Sequence, residues 1–166
     1  MKNLKLKILL LMVINLYALN LPHYFQAKFI QKIYSDKKTL TYKGEIYTNS
    51  KQVFWKYTYP NTKEIWINDK VYVYEPELLQ VTISKKPKLN LFEAIKKAKK
   101  TEKDYIAKID NKTIHFIYDK TLKKAWYTDD IGNKVVINFK DISTEKINPE
   151  IFTPKFPDDV DIIYQR

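Results

Sequence analysis

Between Phe25 and Phe139 the chain repeats one pattern, a short run of alternating or β-branched residues and then a turn. Phe25, Ala27, Phe29, Gln31 and Ile33 alternate with mostly polar partners. Leu40–Tyr47 and Gln52–Tyr59 follow, then the Pro60-Asn61 turn and Glu64–Ile67. Asn68-Asp69 is a hairpin turn feeding Val71–Ile83. Tyr105–Ile109, Thr113–Tyr118, Lys123–Thr128 and Val135–Phe139 come later, punctuated by Asn111-Lys112 and Asp130–Asn133. Strands at such short, regular spacing predict one large antiparallel sheet, curled or closed. A chain of 166 residues makes this a single domain with room for a real core.

Val71–Ile83, VYVYEPELLQVTI, adds a constraint. Val71, Val73, Leu79, Val81 and Ile83 share one strand parity, and Tyr72, Tyr74 and Leu78 share the other. A strand with one wet face alternates apolar with polar, so this one needs cover on both sides. Trp55, Tyr57, Trp66, Tyr72, Tyr74 and Trp126 are likewise more aromatic surface than a thin core needs. Either the aromatics fill a barrel or the sheet wraps an apolar cavity. The second option has one parity of Val71–Ile83 lining the interior, with Tyr72 and Tyr74 under a helix or at the rim.

One segment breaks the β rhythm. Lys88–Lys100, KLNLFEAIKKAKK, has Leu91, Ile95 and Ala98 at i, i+4 and i+7 with Phe92 beside them, a helical period. Asn90 with Glu93 three residues on is an N-cap pattern, and four lysines near the end suit the helix C-terminus. The plain reading is an amphipathic helix plugging a sheet; the sharper one is a lid, Leu89–Lys100, whose apolar stripe faces the strands of Val71–Ile83. Asn148–Asp159, with three prolines, is a second break, before Val160–Tyr164.

Catalytic equipment is sparse. Two glycines leave no phosphate-cradling loop, and the absence of Cys removes thiolate, disulfide and zinc-ribbon chemistry. No serine has a GxSxG frame, and neither His23 nor His115 has a metal-binding or acid-paired frame. His115, among apolar strand neighbours, reads as a satisfied structural histidine. Glu75 and Glu77 flank Pro76 and read as solvated carboxylates; Asp158, Asp159 and Asp161 are too few for a cation site. The chain reads as a binder without cofactor or metal, and not as an enzyme.

The N-terminus reads as a signal peptide over residues 1–18: Lys2, Lys5 and Lys7, an apolar run from Ile8 to Ala18, and Leu16-Tyr17-Ala18 at the cleavage site. An uncleaved anchor is the alternative. Export lowers the net charge from +11 to +8, twenty-seven basic against nineteen acidic residues. The positives are dispersed and no RNA-binding motif accompanies the aromatics, so the charge points to acidic partners or anionic headgroups and not to nucleic acid. From the residues alone, a lipid-sheltering carrier and a secreted β-rich adaptor with a filled aromatic core both remain open; a hydrolase of acylated substrates lacks a nucleophile.

Several segments resemble one family. Phe25–Gln31 is similar to an F-x-A-x-F-x-Q strand, and Trp55-Lys56-Tyr57 with Pro60 to W-x-Y-x-x-P. Asn68-Asp69 followed by Tyr74–Thr82 resembles a turn and Y-[DE]-P-x-[LF]-x-Q-[VA]-T. Ile151–Pro154 followed by Val160-Asp161-Ile162 resembles a C-terminal F-x-P…V-D. In this order the segments look like the LolA family of lipoprotein carriers. Two features depart from it: little chain separates Ala18 from Phe25 where the family has a helix, and Asn49 stands where many members have a lid-locking arginine, with Lys51 the nearest cation.

The resemblance implies a mainly β fold, an incomplete antiparallel β-barrel or strongly curled sheet with an α-helical lid, as a single lipoprotein-carrier domain over residues 19–166. It implies a monomeric periplasmic chaperone that shelters acyl chains in an apolar cavity. Its partners would be acylated lipoproteins as cargo, an inner-membrane lipoprotein-releasing ABC transporter and an outer-membrane acceptor. The cavity and lid candidates for lipid binding are Phe25, Phe29, Val53, Trp55, Ile65, Val71, Val73, Leu79, Val81, Leu91, Phe92 and Ile95.

Overall fold

The computed structural model of the chain describes residues 19, 21–86, 91–109 and 111–165. The expected signal peptide, the expected Asn90 cap and residues 88–90 of the expected helix lie outside them. In chain order the strands are β1 (Phe25–Tyr34), β2 (Thr39–Thr48), β3 (Val53–Tyr59), β4 (Lys63–Ile67), β5 (Lys70–Glu75), β6 (Gln80–Lys85), β7 (Lys99–Lys100), β8 (Tyr105–Ile109), β9 (Lys112–Asp119), β10 (Thr121–Thr128), β11 (Lys134–Ser143) and β12 (Asp161–Tyr164). They form one sheet in the order β12-β6-β5-β4-β3-β2-β1-β11-β10-β9-β8-β7. β12 and β7 are its unpaired edges, so the sheet does not close. All neighbours are antiparallel except β12, which lies parallel to β6.

The sheet is curled around its own inner face. A short helix, α1 (Leu91–Lys96), rests on β8, and its Phe92 ring lies 5.6 Å from Phe25 of β1. Those strands are four positions apart, about 19 Å on a flat sheet at the usual strand spacing. One short helix reaches both because the sheet bends round it. Register shifts at Gln26/Lys28, Lys43/Gly44 and Leu122/Lys124 add the local twist that bulges bring.

Gly44 shows how tightly the wall is built. It pairs with Phe29 and leaves room for that ring, which meets Trp55 and Tyr57 at 5.1 Å each. A Cβ on Gly44 would stand 2.1 Å from the Lys56 carbonyl oxygen and 2.8 Å from Phe29 Cζ.

Two cores lie on opposite faces. The inner one gathers Phe25, Phe29, Ile46 and Val53 with Phe116, Phe139 and the helix residues Phe92, Ala94 and Ile95. The outer one gathers Phe54, Trp66, Tyr74 and Val81 beneath Ile147 and Phe152 of the C-terminal segment. That segment, with a 3-10 turn at Pro149–Phe152, is the cover that the second apolar face of β5 requires. Tyr72 and Tyr74 pack under it.

Three expectations are corrected here. Val71 and Val73 do not share a face with Val81 and Ile83: β5 pairs with β6 so that Tyr74 stands beside Val81 and Tyr72 beside Ile83, all outward. The cause is the Pro76–Leu78 3-10 turn, which ends in Leu79 at φ 47° and resets the parity. Leu79 itself is exposed. The expected helix to Lys100 stops at Lys96, with Lys97 and Ala98 donating back to Ala94 and Ile95 in tight final turns. Lys99 and Lys100 instead pair with Ile106 and Tyr105, because the bare edge of β8 offers them backbone partners. And α1 packs on β8 and Phe25, not across β5 and β6, so a helical lid over those strands is not what the fold presents.

Candidate ligand cavity

At the end of the curled sheet remote from Phe92, the inner face opens into a cavity of about 550 Å³. Gln31 and Ile33 of β1, Tyr42 of β2, Tyr57 of β3, Lys63 and Ile65 of β4 and Glu75 of β5 line it, closed by Pro60–Thr62 and by Glu77 and Leu78. Register places these side chains together: Gln31 pairs with Tyr42, Tyr57 with Lys63, and Ile65 with Val73. Its aromatic lining is Tyr42 and Tyr57, 6.1 Å apart, and the Tyr57 ring is backed by Phe29 at 5.1 Å and Trp55 at 6.5 Å.

The rim is polar. Lys63 Nζ lies 2.9 Å from Glu75 Oε1, Asn61 donates to Glu77, and the Tyr57 hydroxyl donates to Gln31 Oε1 at 3.1 Å. Burial, with Tyr127 and Tyr42 nearby, pushes the Tyr57 phenol up to about 12, so it is an un-ionised donor at neutral pH. The cavity therefore offers apolar contact below and hydrogen bonds above. Among the described residues no cluster of three or more His, Asp or Glu side chains is placed to hold a metal ion.

The expected lipid-binding residues divide. Phe25, Phe29, Val53, Phe92 and Ile95 are buried in the inner core, and Trp55 and Leu91 are half-buried against it. Ile65 lines the cavity. Val71 and Val73 are half-buried on the inner face of β5, opposite Ile67 and Ile65. Leu79 and Val81 are not brought there: one is exposed at a turn and the other belongs to the outer core. Sequence reasoning missed Gln31, Ile33, Tyr42, Tyr57, Lys63 and Glu75. Strand alternation carries a signal for most of them: Gln31 and Ile33 continue the parity of Phe25 and Phe29, Tyr57 that of Val53 and Trp55, Lys63 that of Ile65, and Glu75 that of Val73.

Other singled-out residues have structural partners. Asn49 Oδ1 accepts from the Lys51 and Gln52 amides at 3.2 and 2.9 Å, and its Nδ2 donates to Gln52 Oε1, so it caps the β2–β3 turn. His115 faces outward, stacked 5.3 Å from Trp126, with Nδ1 2.8 Å from Asp104 Oδ2. The Thr101 hydroxyl, and then His115, hold the Asp104 carboxyl below its ordinary range. Among the described residues no helix is long and apolar enough to cross a membrane.

Sequence relatives decide the family. An outer-membrane lipoprotein carrier protein of Campylobacter jejuni is 35% identical over 154 residues, covering 89% of this chain and 91% of its own. Proteins of the same name from Helicobacter pylori strain J99 and Wolinella succinogenes are 36% and 33% identical over 152 residues, covering 85% of this chain and 80% and 87% of theirs. The chain belongs to the LolA family. No protein-family model matches it. An uncharacterised conserved protein of Thermus thermophilus shares the fold, with a TM-score of 0.57 at 12% identity over 88% of this chain and 93% of its own.

The LolA-like segments sit at joints of this fold. Phe25–Gln31 and Trp55–Tyr57 build the inner wall from core to cavity. Asn68 Nδ2 donates to the Phe152 carbonyl at 2.8 Å, tying the β4–β5 turn to the C-terminal segment. Pro76 opens the turn that resets β6, and Phe152 is buried in the outer core.

Proposed function

We propose that this LolA-family chain is a periplasmic carrier of acylated lipoproteins, holding their acyl chains inside the curl of the sheet and performing no reaction on them. The observation that carries the reading is the 35% identity, over nearly the whole length of both chains, to a protein named as an outer-membrane lipoprotein carrier. The cavity, lined by Ile33, Tyr42, Tyr57 and Ile65 and backed by Phe29 and Trp55 behind the Tyr57 ring, supports it. In this reading cargo arrives from an inner-membrane ABC transporter and leaves to an outer-membrane acceptor.

Energetics favour partial shelter. Each buried methylene is worth about 0.8 kcal/mol, so one long chain brings on the order of 10 kcal/mol. Three chains fully buried would pass the ceiling of about 20 kcal/mol for non-covalent affinity, and a shuttle must release. The cavity at about 550 Å³ has the size of a pocket for one small ligand. Further chains need the inner core to open, and α1 is the piece to move: it is short, and Phe92 and Ile95 plug the interior.

Gentle purification from the native periplasm followed by mass spectrometry tests this. Co-purifying triacylated lipoproteins are expected. A clean protein that also takes up no fluorescent fatty-acid probe would overturn the carrier and favour the adaptor, whose filled core the packed Phe25, Phe29 and Phe92 would then represent.

A further inference from the structure

A cavity meant only for hydrocarbon has no use for an inward-facing ion pair. Across β3, β4 and β5 the chain makes two Lys–Glu pairs. Lys56–Glu64, at 3.2 Å, stands outside, whereas Lys63–Glu75 lines the cavity. The two side chains are 41% and 29% exposed, so their attraction is screened and adds little stability. Desolvating them under an acyl chain alone would cost affinity. In the same lining the Tyr57 hydroxyl donates to Gln31 Oε1 at 3.1 Å, which leaves the Gln31 carboxamide N–H groups and the second lone pair of Oε1 for a ligand.

We propose that this rim is a binding site for the polar head of an amphiphile, the ester and amide groups that join acyl chains to the first peptide residues of the cargo. It rests on the carrier reading and specifies which part of the cargo the protein recognises. Lys63 presents ammonium donors to ester carbonyls, while Glu75 and Gln31 accept from peptide N–H groups. The wall thereby has a direction: tails lie against Ile65 and Tyr57 and the head stays at Lys63 and Glu75. Hydrogen bonds to charged groups are the strong ones, so removing both charges should be felt by a ligand with a head and ignored by one without.

The test compares two probes on the full chain: a synthetic triacylated cysteinyl peptide and a long alkane carrying a fluorophore. Lys63→Met with Glu75→Gln should weaken the lipopeptide by about tenfold or more and leave the alkane within about twofold. Lys63→Met alone should lose part of the same selectivity, and thermal unfolding of each variant reports folding. If both probes weaken equally, or the lipopeptide is unchanged, the assignment falls while the carrier reading stands. If the wild type binds neither probe, the carrier reading falls and takes the assignment with it.

Discussion

The Trp66 indole N–H donates to the Ile151 carbonyl at 3.1 Å, bonding the middle of the outer sheet face to a segment 85 residues later. Asn68 makes the matching bond to Phe152, and Phe152 is 1% exposed. Phe152→Ala should therefore cost about 3–5 kcal/mol, from lost burial plus the cavity left behind. Trp66→Phe, which strands one carbonyl, should cost about 1–2 kcal/mol. Urea unfolding measures both. A loss under 1 kcal/mol for Phe152→Ala would mean the segment does not seal the face.

Gly44→Ala should be among the most damaging small substitutions, at several kcal/mol, because the new methyl meets backbone as well as a ring. Trimming the ring with Phe29→Leu should not restore it, since the Lys56 carbonyl is the nearer obstacle. Full recovery in that double variant would show that only the ring mattered.

Alkaline stability should depend on Tyr57. Its folded value of about 12 exceeds the ordinary 10, so the folded state keeps a proton the unfolded chain releases. Stability from this group is complete below pH 10 and falls as pH rises from 10 through 12. Two pH units correspond to about 2–3 kcal/mol. Tyr57→Phe should flatten that part of the decline, leaving the share from Tyr47, also pushed up to about 12, chiefly by burial. Unfolding midpoints taken from pH 9 to 12 on both proteins decide it; parallel curves would refute the assignment.

Phe92→Asp separates a movable plug from fixed core. An unpaired carboxylate against the Phe25 ring costs several kcal/mol unless the helix leaves. A movable α1 swings out, so the variant should melt near the wild type but lose acyl-chain retention. Large destabilisation with retention kept in the folded fraction would show that α1 is core.

Alternation made much of the fold legible: Phe25, Phe29 and Phe139 face inward as their period demands. It failed where the chain did something local. Pro76 marks a break, but Leu79 adopts a left-handed conformation usually given to glycine or asparagine, so its residue type gives no sign that the parity resets between Val73 and Val81. Lys99 and Lys100 continue a helical period, yet an unpaired strand edge overrides propensity. The cavity was half legible for a different reason. Searching for apolar periodicity finds Ile65 and passes over Lys63 and Glu75, which obey the same period with polar side chains.

The outer seal has a consequence for how the molecule is made. Phe54, Trp66, Tyr74 and Val81 are synthesised long before Ile147, Phe152 and β12, which cover them. A growing chain can pair β1 to β6 as successive hairpins, but their outer face stays wet and β6 remains an open edge until the final residues emerge. Folding to completion thus waits on a slow kind of contact, one closed over 85 residues, about half of the chain. In the interval the polypeptide presents a greasy surface and a bare strand to its surroundings.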